Sequence, residues 1–451
     1  MALNLPQSIT FKVLGIGFLA LLMLIPLVQV QSLISERGGL RAQALADISQ
    51  RWGAAQNVGG PVLAIPKRVR VATSNGWITQ EHTEIVLADR LDIGGVLKPE
   101  IRSYGIYSTP VYLAELKISG RFLSRDLRTL AGQKSGVDET REIEYLFDQA
   151  ELRLPIADVR GIRHISPLRF DDKERAFGPA NGNGAMRAIA LPVDLSAWTK
   201  SSVDDDAHSF ELTLTLAGTG NLHFLPLARQ TQANLAAAWP SPGFDGAFLP
   251  AQHTVDETGF SAQWQVLDLN RSYGQHWQEG DNGVDPTAAA FGVNLYQPVD
   301  LYQQNERSGK YGVLFIALTF VAFFLFEVLK KLRVHPVQYL LIGLALTTFY
   351  VLLLALSEQI GFGGAYLVAA AAVVLLVGGY AAAVLRARRA GIVLGATLAL
   401  VYALLYGLVM SEQYSLLMGA VALLAMVGAL MYLTRRVDWY TYAPAGQNVS
   451  A

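Results

Sequence analysis

Apolar residues gather into six long runs along this chain, and charge is kept to the joints between them, save Glu327 near the end of one run. One run, 13–30, stands alone near the N-terminus. Five follow close together at 311–329, 337–356, 365–385, 392–410 and 416–434. Each approaches the ~20 residues that a helix needs to cross a hydrocarbon layer of ~30 Å. The pattern therefore predicts six membrane-spanning helices, the last five as antiparallel hairpins. Their joints alternate in sign. Lys330-Lys331-Leu332-Arg333, Arg386-Ala387-Arg388-Arg389 and Arg435-Arg436 alternate with Ser357-Glu358-Gln359 and Ser411-Glu412-Gln413. Cytoplasmic loops are the Lys/Arg-rich ones. Residues 1–12 and the tail 435–451 are thus expected inside, and 31–310 outside. A cleaved signal peptide is the competing reading of 13–30, and it leaves 31–310 outside as well.

After residue 30 the period changes. Leu40, Ala44, Leu45, Ile48 and Trp52 recur at helical spacing, so 31–60 reads as an amphipathic linker helix, ended by Gly59-Gly60-Pro61. From 61 to 310 short alternating stretches dominate, among them Val111–Ile118 and Phe210–Leu216, with Gly- and Pro-rich turns between. They predict an all-β, antiparallel, sandwich-like domain, with a sub-boundary at the Gly/Asn-rich stretch 177–184. The alanine-rich stretch 234–239 fits neither period. In the membrane part, the joint–span–Ser-Glu-Gln–span unit occurs twice. This reads either as a duplication or as two hairpins obeying one topology rule.

Composition removes several chemistries. The formal net charge of −1 gives no field for nucleic acid, and the absence of cysteine removes thiolate, disulfide and iron–sulfur chemistry. Seven histidines are scattered without the H-E-x-x-H spacing of a zinc hydrolase. No G-x-S-x-G elbow, phosphate loop or dinucleotide fingerprint occurs. The sequence thus points to no catalytic residue, metal or cofactor. Asp204-Asp205-Asp206 with His208 is the nearest approach to a cation site, and a solvated entry to the Phe210 strand explains it equally. Within the spans, Glu327 stands out, because charge at depth is costly and often functional. Its spacing predicts an ion pair with Lys330 or Lys331. Glu358 and Glu412 cap the outer hairpin turns. Gly391 and Gly395 form a small-xxx-small pair that predicts close helix packing.

Several motifs resemble one family. They are the stretch 310–362, Gly60-Pro61-Val62-Leu63-Ala64-Ile65-Pro66, the Arg160-Gly161-Ile162 turn, Gly218-Thr219-Gly220, Trp239-Pro240 with Gly243-Phe244 and Phe248-Leu249-Pro250, and Val437-Asp438-Trp439-Tyr440. All are similar to the CreD family of bacterial inner-membrane proteins. The resemblance implies an inner-membrane protein of cell envelope integrity, linked to envelope stress and to a two-component system, with 31–310 periplasmic. It carries no catalytic residue with it. The reading that follows is a non-enzymatic protein whose partners are the lipid bilayer and a periplasmic or membrane protein bound by the β-rich domain. Glu327, Lys330, Lys331, Glu358, Glu412, Arg160 and Trp239 are its candidate coupling or partner residues. A transporter or lipid-handling protein using the doubled hairpins is the alternative, and a carboxylate hydrolase comes third. The sequence leaves the oligomeric state open.

Overall fold

The computed structural model describes residues 9–74, 76–132, 141–180, 187–200, 206–295, 301–329, 334–384, 388–411 and 415–435. It contains two compact units: Met1–Ala42 with Val299–Ala451, and Gln43–Pro298. In chain order the helices are α1 (Ile9–Leu22), α2 (Leu24–Trp52), α3 (Ser124–Gly132), α4 (Leu301–Lys310), α5 (Gly312–Leu329), α6 (Pro336–Val384), α7 (Arg388–Met410) and α8 (Ser415–Thr434). All but α3 draw on the apolar runs or the segments leading into them.

Three helical stretches among the described residues are long and apolar enough to cross a membrane: Lys12–Trp52, Pro336–Val384 and Gly391–Met410. A fourth arises if α4 and α5, bent by 45° at their junction, are taken as one span. The expected span 337–356 and the described part of 365–385, up to Val384, both lie within α6. That helix is not straight. Gly361 has φ 75° and ψ 162°, and the rings of Phe349 and Tyr366 lie 5.3 Å apart. In an unbroken helix they would be separated by ~25 Å at 1.5 Å per residue. The chain therefore folds back at Gly361 into two arms.

Ring and glycine contacts give the order of packing in the helical unit. Tyr339, on the first arm, meets Phe320 and Phe323 of α5 edge-on at 5.8 and 5.3 Å. Gly343 lies beside Met23 and Phe320, and Gly312 beside Leu27 and Tyr350. The second arm packs on α7 through Gly378 and Gly391, and a Cβ on Gly391 would lie 2.7 Å from the Gly378 carbonyl oxygen. These registers make α5 antiparallel to both the N-terminal helix and the first arm of α6.

The unit Gln43–Pro298 carries three sheets of four, nine and seven strands. Two long hairpins dominate it. Val62–Thr73 pairs with Gly76–Val86, and Ala88–Tyr104 with Tyr107–Leu123. Two ladders are parallel, a correction to the purely antiparallel expectation. Gln56–Val58 runs with Asn221–Phe224, and Ala88–Tyr104 with Ala228–Ala237. Partners so distant in sequence have no hairpin to impose an antiparallel sense. One buried core draws on all three sheets, with Leu63, Leu152, Leu116, Leu214, Phe224 and Phe291 at its centre. The linker helix ends at Trp52 rather than near residue 60, because Gly53 takes φ 143° and Gln56 already begins a strand.

Candidate functional site

Glu327 is 3% exposed at the end of α5. A buried carboxylate needs an opposite charge and several donors, and Glu327 has both. Its Oε1 pairs with Lys12 Nζ of α1 and accepts the Val334 amide at 2.7 Å. Its Oε2 accepts the Tyr339 hydroxyl at 2.8 Å. One side chain thus pins α1, α5 and the start of α6 together. Local helical spacing pointed to Lys330 and Lys331, which lie outside the described residues. Lys12 and Tyr339 were missed. A signal for Lys12 was present, since it is the cation that precedes the first span on the side where α5 ends.

At the other end of α5's bundle, Glu358 accepts the Tyr302 hydroxyl at 3.0 Å, and Asn305 Nδ2 donates to Ser357 Oγ at 2.9 Å. Arg41 lies over the Tyr302 ring at 6.0 Å. The first Ser-Glu-Gln joint is therefore held by α4. Glu412 lies outside the described residues.

In the β-rich unit, Arg160 holds Asp158 through two bonds of 2.8 and 3.0 Å. Asp158 also accepts the Ala54 amide at 3.0 Å. Chiefly because of the Arg160 bonds, its carboxyl is held below the ordinary value despite burial. Gln56 Nε2 bridges the carbonyls of Asp158 and Ala217, each at 3.0 Å. The neighbouring Gly161 is required there, since a Cβ would lie 2.4 Å from the Ala217 carbonyl oxygen. Trp52, the last residue of α2, has Arg102 over its ring at 3.6 Å and Arg163 at 4.9 Å, and its Nε1 donates to the Tyr112 carbonyl at 3.2 Å. Arg160 thus belongs to the joint that receives the end of α2. Trp239 is half-buried against the core and donates to the Ser241 carbonyl at 3.1 Å, which makes it a packing residue.

Two further clusters lie in this unit. Glu84 is buried and takes Lys67 Nζ at 2.6 Å and His276 Nδ1 at 2.8 Å. Desolvation raises its pKa, but the hydrogen bonds from His276 and Lys67 outweigh that, so it lies below the ordinary 4.5. Elsewhere His208 bridges Ser124 Oγ at 2.9 Å and Asp171 at 2.5 Å, with Trp198 stacked on its ring at 3.5 Å. The order Ser–His–Asp is that of a hydrolytic relay. Ser124 is completely buried, however, and its amide is bonded to the Asp206 carbonyl. The trio is a strut between the start of α3 and the strand Ala207–Thr219. Asp206 lies 3.8 Å from His208, while Asp204 and Asp205 lie outside the described residues.

These features define a membrane protein that joins long apolar helices to a large β-rich unit. Residues 8–440 match the family described as inner membrane protein CreD, and the chain belongs to that family. It is 30% identical to the inner membrane protein CreD of Escherichia coli strain K12 over 444 residues, covering 97% of this chain and 95% of that protein. It is an inner-membrane protein.

Proposed function

We propose that this chain is a six-pass anchor in the inner membrane whose β-rich unit is periplasmic and binds an envelope partner, and that it thereby supports envelope integrity under stress. The observation that carries the topology is the Glu327 pin. It joins the N-terminal side of α1, the C-terminal end of α5 and the N-terminal side of α6, which alternating passes require at one membrane face. The fold-back at Gly361 supports two passes within α6, and the positive joints favour the cytoplasm for the pinned end. Reporter fusions test this. A periplasm-dependent enzyme fused after Leu295 should be active, and one fused after Thr434 inactive. The opposite result refutes the orientation.

Partner binding is supported only by the size of the β-rich unit, Gln43–Pro298. A strain lacking the chain should be sensitized to cell-wall and detergent stress, and a wholly normal response counts against an integrity role. The transport alternative gains no support from the cavities among the described residues of the helical unit. Two apolar cavities beside Thr319, of about 20 and 10 Å³, are of the order of a single water site.

A further inference from the structure

The two ends of the nine-stranded sheet are built differently. One end is the strand Lys173–Arg175, in which Lys173, Glu174 and Arg175 are all exposed. Charge on an edge strand guards it against pairing with another chain. The other end is Gln252–Val255, which carries no Lys, Arg, Asp, Glu or Pro. Residues 251–258 are all exposed, so nothing among the described residues covers this edge. Leu249, 72% exposed, extends it.

The backbone direction of this edge is fixed by its hairpin. Asp256 N–H donates to the Gly259 carbonyl, closing a tight turn, and Thr254 lies opposite Ser261. Hydrogen-bonded pairs alternate along an antiparallel ladder. Gln252, Thr254 and Asp256 therefore spend their backbone groups inward, on Phe260–Leu267. His253 and Val255 direct theirs outward. An antiparallel partner strand must meet those two residues.

We propose that this edge pairs with the same edge of a second copy, about a two-fold axis at Thr254, so that the two nine-stranded sheets become one continuous sheet. In that register His253 lies opposite Val255 of the second copy, and both exchange their outward backbone groups. Charge favours the arrangement. Asp256 meets Gln252 of the second copy and Glu257 meets Ala251, so no like charges face one another. An isologous contact of this kind closes at a dimer. By the same register Leu249, an exposed leucine, falls opposite Gly259 of the second copy, at its hairpin turn.

The chain has no cysteine, which makes the test clean. Thr254 meets its own copy as a non-hydrogen-bonded pair, with Cα atoms about 4.5 Å apart, inside the range that a disulfide spans. The full-length Thr254→Cys chain, oxidised in native membranes, should run as a disulfide-linked dimer. Glu174→Cys, on the guarded edge, should remain monomeric. Val255→Pro removes an outward N–H without touching the inner ladder, so Thr254→Cys combined with Val255→Pro should lose the cross-link. The proposal is overturned if Thr254→Cys stays monomeric, cross-links only to another protein, or cross-links no better than Glu174→Cys. If Val255→Pro prevents folding, Thr254→Cys against Glu174→Cys still decides.

Discussion

Lys12 and Glu327 lie 315 positions apart in the chain and form one ion pair in the helical unit. Glu327 is almost wholly buried while the Lys12 side chain is 34% exposed. The two partners are therefore unequal. Removing Glu327 also strips the Val334 amide and the Tyr339 hydroxyl of their acceptor. Glu327→Ala is expected to cost ~2–3 kcal/mol, chiefly by leaving a buried amide and hydroxyl without an acceptor. Lys12→Ala should cost at least as much, because it leaves the buried carboxylate without its opposite charge, whereas a Lys12 left alone can reach water. Thermal unfolding of the detergent-solubilised protein measures both, and a clearly smaller loss for Lys12→Ala would contradict this ranking.

Gly391 and Gly395 were read together as a packing signal, yet only one of them is tight. A Cβ at Gly391 would lie 2.4 Å from the Ala382 Cβ, whereas the nearest atom to one at Gly395 is 3.8 Å away. Gly391→Ala should destabilise the helical unit by ~1–3 kcal/mol through overpacking. Gly395→Ala should be close to neutral. The ranking of their unfolding temperatures is the check.

Gly361 isolates a backbone effect. Nothing lies within 4 Å of a Cβ built there, but φ is 75°. Gly361→Ala should cost ~1–3 kcal/mol from the backbone alone, because a positive φ combined with ψ 162° is a region open essentially to glycine only. Gly361→Asn should lose about as much, since the positive-φ region that Asn visits has ψ of about 30–60°. A filled cavity or clash would instead make the larger Asn the worse substitution, which unfolding of the two variants side by side would reveal.

Glu84 sets an acid limit on the β-rich unit. Its pKa is lower folded than unfolded, so its ionised form adds stability at pH values above the unfolded value. That contribution fades as the pH falls below 4.5 toward the folded value. The stability gap between wild type and Glu84→Gln should therefore be widest near neutrality and narrow in acid. Denaturant titrations across that interval measure it, and a gap independent of pH would refute the assignment.

Much of the helical unit was legible because lipid imposes length and apolarity on whole segments. Local spacing could not reach a remote partner. It offered Lys330 and Lys331 for Glu327, which lie outside the described residues, and geometry adds Lys12. The β-rich character was legible from alternation, but parallel pairing was not, because register between distant strands leaves no local trace. Residues 234–237 of the alanine-rich stretch belong to the strand Ala228–Ala237, between Ala88–Tyr104 and Phe260–Leu267, while 238 and 239 lie beyond its end. Alanine has little preference for strands, and its neighbours decide its state. Arg160 was singled out by motif alone. The structure gives its reason: it holds the buried Asp158 that receives the chain leaving α2.

The Glu327 pin also has a consequence in time. Lys12 is made 315 residues before its counter-charge. At ~5–20 residues per second, the first apolar helix waits ~15–60 s for α5. The whole unit Gln43–Pro298 emerges within that interval. Its strands must therefore leave the ribosome while the helical unit is still open, and closing that unit is among the late steps in making the protein.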